Sequence, residues 1–207
     1  MSVDLRRALA ALPLVAILRG LEPGNALAIG QVLIDSGFRI IEVPLNSPRP
    51  FESIALLAQA FGTRALVGAG TVLRTEDVAR VKEAGGGLIV MPHGDTAIIR
   101  EAKRLGLTCT PGVATPTEGF AALGAGADGL KLFPAETMPP AAVKAWRAVL
   151  PPETLLLPVG GITPERMADY LAAGANGFGL GSALFAPTMA PEMVRERAQA
   201  FVAALGR

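Results

Sequence analysis

Short apolar runs alternate with longer amphipathic stretches along the whole chain. The runs fall at residues 14–18, 39–43, 65–69, 88–91, 107–110, 129–133, 155–159 and 176–180. Each is nearly continuously apolar, as strands buried on both faces of a parallel sheet are. Between and after them the spacing predicts helices over 26–36, 51–61, 75–84, 96–105, 117–125, 141–150, 164–173 and 191–205. The start signals agree. Thr115 precedes Pro116, with Glu118 placed to close a capping box. The pairs Thr163–Pro164 and Ser47–Pro48 repeat the cap-then-proline start. Gly37, Gly62, Gly85, Gly106, Gly126 and Gly174 each follow a predicted helix and supply its stop.

Eight strand-helix units without a linker predict a single (β/α)8 barrel domain spanning residues 1–207. The weaker alternative is an open doubly wound sheet. Its fingerprint would be GAGADG at 124–129, which has the G-x-G-x-x-G spacing. That segment runs from a helix into a strand, the wrong order for a dinucleotide turn. It is read as a helix stop and a tight loop.

Composition narrows the chemistry. Of 207 residues 51% are hydrophobic, enough for one large core, and the 24 glycines and 17 prolines fit a chain with many turns. A net charge of +1 offers no global field for nucleic acid or an anionic membrane. One Cys permits no internal disulfide framework and suits a reducing, cytoplasmic compartment. One Cys and one His do not make an ordinary zinc site. Arg6 and Arg7 ahead of an apolar run imitate a secretory signal. Pro13 breaks that run and Arg19 ends it without a small-residue cleavage site, so no signal is expected. No run is long enough for a membrane span without Gly, Pro or a charge.

Polar residues inside predicted strands are the informative exceptions. Side chains in a barrel strand alternate between the interior and the helix layer. In GLKLF at 129–133, Leu130 and Leu132 take the helix side, so Lys131 points inward with Phe133. A lysine is almost never fully buried unless it is paired or used. Burial in an apolar interior favours a neutral amine, a nucleophile toward carbonyl carbon. In RIIEV at 39–43 the same alternation turns Ile40 and Glu42 inward. Glu42 is then a general acid/base candidate, or simply the ion-pair partner of Lys131. Arg19 and Thr71 follow the first and third strands and reach the C-terminal rim, where barrel active sites lie. They are donors for a carboxylate or phosphate, or else a rim ion pair and a helix cap. The glycine-rich turns after strands seven and eight, with Gly161, Gly181 and Ser182, suit phosphate through exposed backbone N–H groups.

Other conspicuous residues have blander readings. His93, after Pro92, could touch a ligand but stands alone. Cys109 is expected to be a small core hydrophobe. Met138, Trp146 and Met167 fit core-facing positions. Pro92, Pro111 and Pro134 are expected to end strands four, five and six and to shape the mouth.

The segments AILRG (16–20), IEV (41–43), GAGTV (68–72), LKLFP (130–134) and VGG (159–161) together resemble the 2-keto-3-deoxy-6-phospho-sugar-acid aldolases over essentially the whole chain. The resemblance implies a metal-free, cofactor-free Schiff-base lyase that splits a phosphorylated keto-deoxy sugar acid. Lys131 would be its imine-forming nucleophile and Glu42 its proton shuttle. Arg19 and Thr71 would hold the carboxylate end, and Gly161, Gly181 and Ser182 the phosphate. It also implies a homotrimer. Gluconate-type members carry arginine four residues after the Glu. Asn46 stands there in this chain, as in the galactonate branch. A phosphate-binding barrel isomerase or epimerase, with Lys131 only an electrostatic partner, is the competing enzyme class.

Overall fold

The structure is a computed structural model that describes residues 3–206. It is an α/β fold with a curled parallel sheet. The strands are β1 (Leu14–Ile17), β2 (Ile40–Pro44), β3 (Leu66–Gly70), β4 (Leu88–Val90), β5 (Thr108–Thr110), β6 (Gly112–Val113), β7 (Leu130–Leu132), β8 (Leu156–Pro158) and β9 (Phe178–Leu180). They form a six-stranded sheet ordered β5-β4-β3-β2-β1-β9 and a three-stranded sheet ordered β6-β7-β8. The contacts that join the sheets include a parallel bridge between Val159 and Gly179, a bond from the Asn176 N–H to the Leu156 carbonyl and a bond from the Asp128 N–H to the Cys109 carbonyl.

The predicted strands are all present. Pro111 ends β5, as expected, because proline has no N–H for a ladder, and the chain resumes at once as β6. The chain before it pairs with β4 and the chain after it pairs with β7, while the Pro111 carbonyl accepts from the Lys131 N–H at 2.9 Å.

The helices are α1 (Leu5–Ala11), α2 (Pro23–Asp35), α3 (Pro50–Phe61), α4 (Thr75–Glu83), α5 (Thr96–Arg104), α6 (Pro116–Gly124), α7 (Pro140–Arg147), α8 (Pro164–Ala172) and α9 (Pro191–Ala203). The capping box of Thr115 and Glu118 forms as expected. Ser47 does not cap. Helix α3 starts later, at Pro50, after Arg49 in the left-handed region (φ 43°), and the buried Ser47 hydroxyl accepts instead from the Gly20 N–H at 2.9 Å. That bond ties the loop after β2 to the loop after β1. Thr71 is likewise no cap, since Arg74 occupies that position for α4.

Helix α1 is not announced by the pattern of the sequence, where its residues read only as part of an apolar run. At seven residues it is too short to display a helical period, yet the Asp4 carboxylate caps it by accepting from the Arg6 N–H at 2.7 Å. Its apolar side packs Leu5, Ala8 and Leu9 against Val15, Ile40, Leu66, Leu88, Val90, Leu155 and Leu157. These are inward-facing strand residues, so α1 closes the N-terminal end of the interior. Full burial of a leucine is worth roughly 1.5–3 kcal/mol, which holds so short a helix in place. A second, larger apolar cluster fills the layer between strands and outer helices, and Met138, Cys109, Trp146 and Met167 all belong to it. Among the described residues no helix is long and apolar enough to cross a membrane.

Candidate active site

The inward alternation read from the sequence places two opposite charges on the interior wall. Glu42 in β2 is 1% exposed and Lys131 in β7 is 6% exposed. Both line one interior cavity with Ile17, Val90, Thr110 and Val159. They are not an ion pair: among the described residues no Lys–Glu contact within 4.0 Å joins them. The Lys131 ammonium nitrogen instead lies 5.0 Å from the centre of the Phe133 ring, within cation–π range.

Glu42 is held under electrostatic tension. Burial pushes its carboxyl above the ordinary range, while the positive charges of Lys131 and Arg19 pull the other way and do not overcome it. Its Oε2 atom is buried without a hydrogen-bond partner. A buried polar atom left unpaired costs about 1–3 kcal/mol, and such groups concentrate where a ligand completes the bonding.

Arg19, Asn46 and Thr71 follow β1, β2 and β3, and the parallel register brings them together. One guanidinium nitrogen of Arg19 donates to the Asn46 side-chain carbonyl at 2.6 Å, and another to the Thr71 hydroxyl at 3.4 Å. Arg19 and Asn46 are exposed at the rim and Thr71 is half-buried. Thr71 sits at φ 54°, a left-handed conformation that costs a non-glycine residue about 1–3 kcal/mol and is met most often at functional sites.

The two glycine turns follow neighbouring strands. The Val159–Gly179 bridge sets β8 and β9 in register. Gly161 and Gly181 each follow two residues further on, past the ends of β8 and β9, with Ser182 next in line. Gly160 and Gly161 adopt φ values of 110° and 59°, open to glycine and strained for other residues.

His93 is exposed past the end of β4. Cys109 is fully buried, and burial pushes its thiol up to about 12. No group of three or more His, Cys, Asp or Glu among the described residues is arranged to hold a metal ion.

The model of the KDPG and KHG aldolase family matches residues 5–196. The chain belongs to that family. A 2-dehydro-3-deoxy-6-phosphogalactonate aldolase of Escherichia coli (strain K12) is 47% identical over 93% of this chain and 94% of its own length. A KHG/KDPG aldolase of the same strain is 32% identical over 76% of this chain and 73% of its own. The solved structure described as native KDPGal covers all of this chain and 98% of its own at 44% identity, with a TM-score of 0.94. The protein is thus an aldolase, a carbon–carbon lyase.

Residues that the pattern of apolar runs did not reveal also stand around this aldolase's rim. Glu136, in the turn Ala135–Thr137 after β7, rests on Gly160 and Gly161; Arg166 of α8 donates to the Gly161 carbonyl at 2.6 Å. Tyr170 donates to the Ala135 and Met138 carbonyls, 2.9 Å from each. Gly70 gives room to the Glu42 carboxyl. Helix periodicity hides Arg166 and Tyr170 among ordinary surface and core positions. Only the GG turn they serve marks the place.

Proposed function

We propose that this chain is a class I aldolase that cleaves 2-dehydro-3-deoxy-6-phospho-D-galactonate to pyruvate and D-glyceraldehyde 3-phosphate. The observation that carries the reading is that Lys131 and the unpartnered Glu42 line one cavity without forming an ion pair. The architecture we assign is a single (β/α)8 barrel domain over residues 1–207, with β5 and β6 counted as one strand interrupted at Pro111. The bridge and bonds between the sheets support that closure.

In this mechanism the neutral Lys131 amine attacks the C2 ketone, and loss of water gives an iminium. Glu42, through a water, takes the proton of the C4 hydroxyl. A cavity of about 20 Å3 beside both residues can hold one water. The C3–C4 bond breaks, its electrons pass into the iminium to form an enamine, and the C4 oxygen becomes the aldehyde of glyceraldehyde 3-phosphate. Proton return from Glu42 to C3 and addition of water then free pyruvate and regenerate the amine. Arg19 and Thr71 hold the carboxylate end. Gly161, Gly181 and Ser182 hold the phosphate. No metal or organic cofactor enters this scheme.

Asn46 and the naming of the 47% identical relative favour the galactonate compound over its gluconate C4 epimer. We assign the protein to the cytoplasm, in keeping with its single cysteine, and to a homotrimer, in which exposed Leu73, Phe120 and Val149 offer apolar surface to cover.

The test is borohydride reduction in the presence of pyruvate, followed by peptide mass mapping. A pyruvate adduct on Lys131 is expected. Its absence on folded protein would move the assignment to a barrel isomerase or epimerase in which Lys131 acts only electrostatically. Paired kinetics with both C4 epimers then separate the galactonate from the gluconate reading.

A further inference from the structure

Gly161 has an unusual pair of neighbours. A β-carbon there would stand 2.8 Å from Cγ of Glu136 and 3.0 Å from Nη1 of Arg166. On Gly160 it would overlap the Glu136 carboxylate outright. An acid and a base therefore share the space over the two glycines, yet among the described residues no Arg–Glu contact within 4.0 Å joins them. Arg166 is held elsewhere. It donates to the Gly161 carbonyl at 2.6 Å and to the Tyr170 hydroxyl at 3.5 Å. Tyr170, 1% exposed, in turn binds the carbonyls of Ala135 and Met138, on either side of Glu136. Burial raises the titration of Tyr170, Arg166 opposes that shift and Glu136 adds to it, so the tyrosine feels both charges. The turn carrying Glu136 and the helix carrying Arg166 are thus tied to one tyrosine, with the glycine turn between them.

We infer that Arg166 and Glu136 are opposed charge determinants of phosphate recognition. Arg166 fixes the Gly160–Gly161 turn and adds positive potential for a phosphate dianion. Glu136 supplies negative potential that limits how tightly the anion is held. The physical ground is simple. Neutral N–H groups bind an anion at a glycine turn, but a nearby guanidinium and carboxylate change the local potential in opposite senses. An arginine bound to the loop's own carbonyl also pre-organises the turn. This rests on the phosphate reading of the glycine turns given above.

The experiment is run in the condensation direction with pyruvate and two acceptors, D-glyceraldehyde 3-phosphate and unphosphorylated D-glyceraldehyde. The readout is the ratio of their kcat/KM values, with KM and kcat resolved separately. For Arg166→Gln the ratio should fall about tenfold, mainly through the KM of the phosphorylated acceptor. Arg166→Lys should recover part of that loss, since it restores charge but not the planar fork. Glu136→Gln should move the ratio the other way, by about threefold or more. Melting curves of all three variants establish folding. Merely structural roles would lower turnover of both acceptors. Ratios that shift in the same direction for Arg166→Gln and Glu136→Gln, or that stay within about twofold for either, overturn the inference. A wild-type ratio near one would instead overturn the phosphate reading itself, and this inference with it.

Discussion

Gly70 leaves the Glu42 carboxyl the space it occupies: a β-carbon at residue 70 would stand 2.7 Å from Oε2 and 2.8 Å from Cδ of Glu42. Glu42 and Gly70 lie on neighbouring strands, β2 and β3, whose register pairs Glu42 with Gly68. The glycine is therefore a site residue without a side chain. The group that must yield on substitution is the flexible end of Glu42, not the backbone. Gly70→Ala should then cost about 1–3 kcal/mol of stability while displacing the carboxyl, and a displacement near 1 Å can cost about 100-fold in rate. Urea midpoints and kcat measured together check this. A variant with wild-type kcat would show that the carboxyl position is not critical.

The raised titration of Glu42 makes a signed prediction about stability. Its folded-state value lies above the ordinary 4.5, with burial the first cause. Between those two values the folded protein holds a proton that the unfolded chain has released. Stability therefore falls as pH rises through that window, and levels off above the folded value. Glu42→Gln removes this dependence. The variant should gain on the wild type as pH climbs above 4.5, read as the difference in urea midpoint across a pH series. Activity should move oppositely: the wild type needs the ionised carboxylate, so its acid limb should lie above the usual carboxylate range, and Glu42→Gln should lose about 100- to 10,000-fold in kcat.

Asn46 holds Arg19 through its shortest contact, at 2.6 Å. If Arg19 binds the substrate carboxylate, loss of the amide frees the guanidinium and raises KM. A hydrogen bond to a charged group is worth about 1.5–3 kcal/mol, so Asn46→Ala should raise the KM for pyruvate in condensation by roughly tenfold, with a smaller change in kcat. Steady-state kinetics in pyruvate decide it; an unchanged KM would remove Asn46 from the carboxylate site.

Much of this arrangement is legible in the sequence, and the physics says why. Strands buried on both faces announce themselves as apolar runs, so Lys131 and Glu42 stand out as polar breaks in those runs, and the alternation of side chains along a strand gives their direction. The same alternation locates their side chains on the inner wall. What stays hidden lacks a period or depends on three dimensions. Helix α1 spans too few residues to show an amphipathic repeat. Ser47 before a proline looks like a cap, but its hydroxyl serves a backbone N–H that lies 27 residues away in sequence. Glu136 and Arg166 look like solvated charges until the return of the chain at Gly160 and Gly161 brings both to one turn. The alternative reading of Glu42 as a mere ion-pair partner of Lys131 is not met, since shared burial brings the two residues to one wall without bringing them into contact.

Cys109 gives a last, chemically independent check on the interior. Its thiol is pushed up to about 12, first by burial, then by the Asp128 carboxylate, with Lys103 opposing. The Asp128 carboxylate accepts from the Cys109 N–H at 2.8 Å and is itself paired with Lys103 at 2.6 Å, so its negative charge is fixed beside the sulfur. A thiol near 12 is about 10,000-fold short of full ionisation at about pH 8, and the thiolate is the reactive form. Iodoacetamide at about pH 8 should therefore leave the native protein unmodified over hours and label Cys109 promptly in denaturant, as followed by intact mass. Rapid labelling of native protein would mean that β5 and the layer outside it open readily. In that case the interior wall carrying Thr110 and Lys131, on the strands flanking Asp128, would be far less rigid than precise placement of a nucleophile requires.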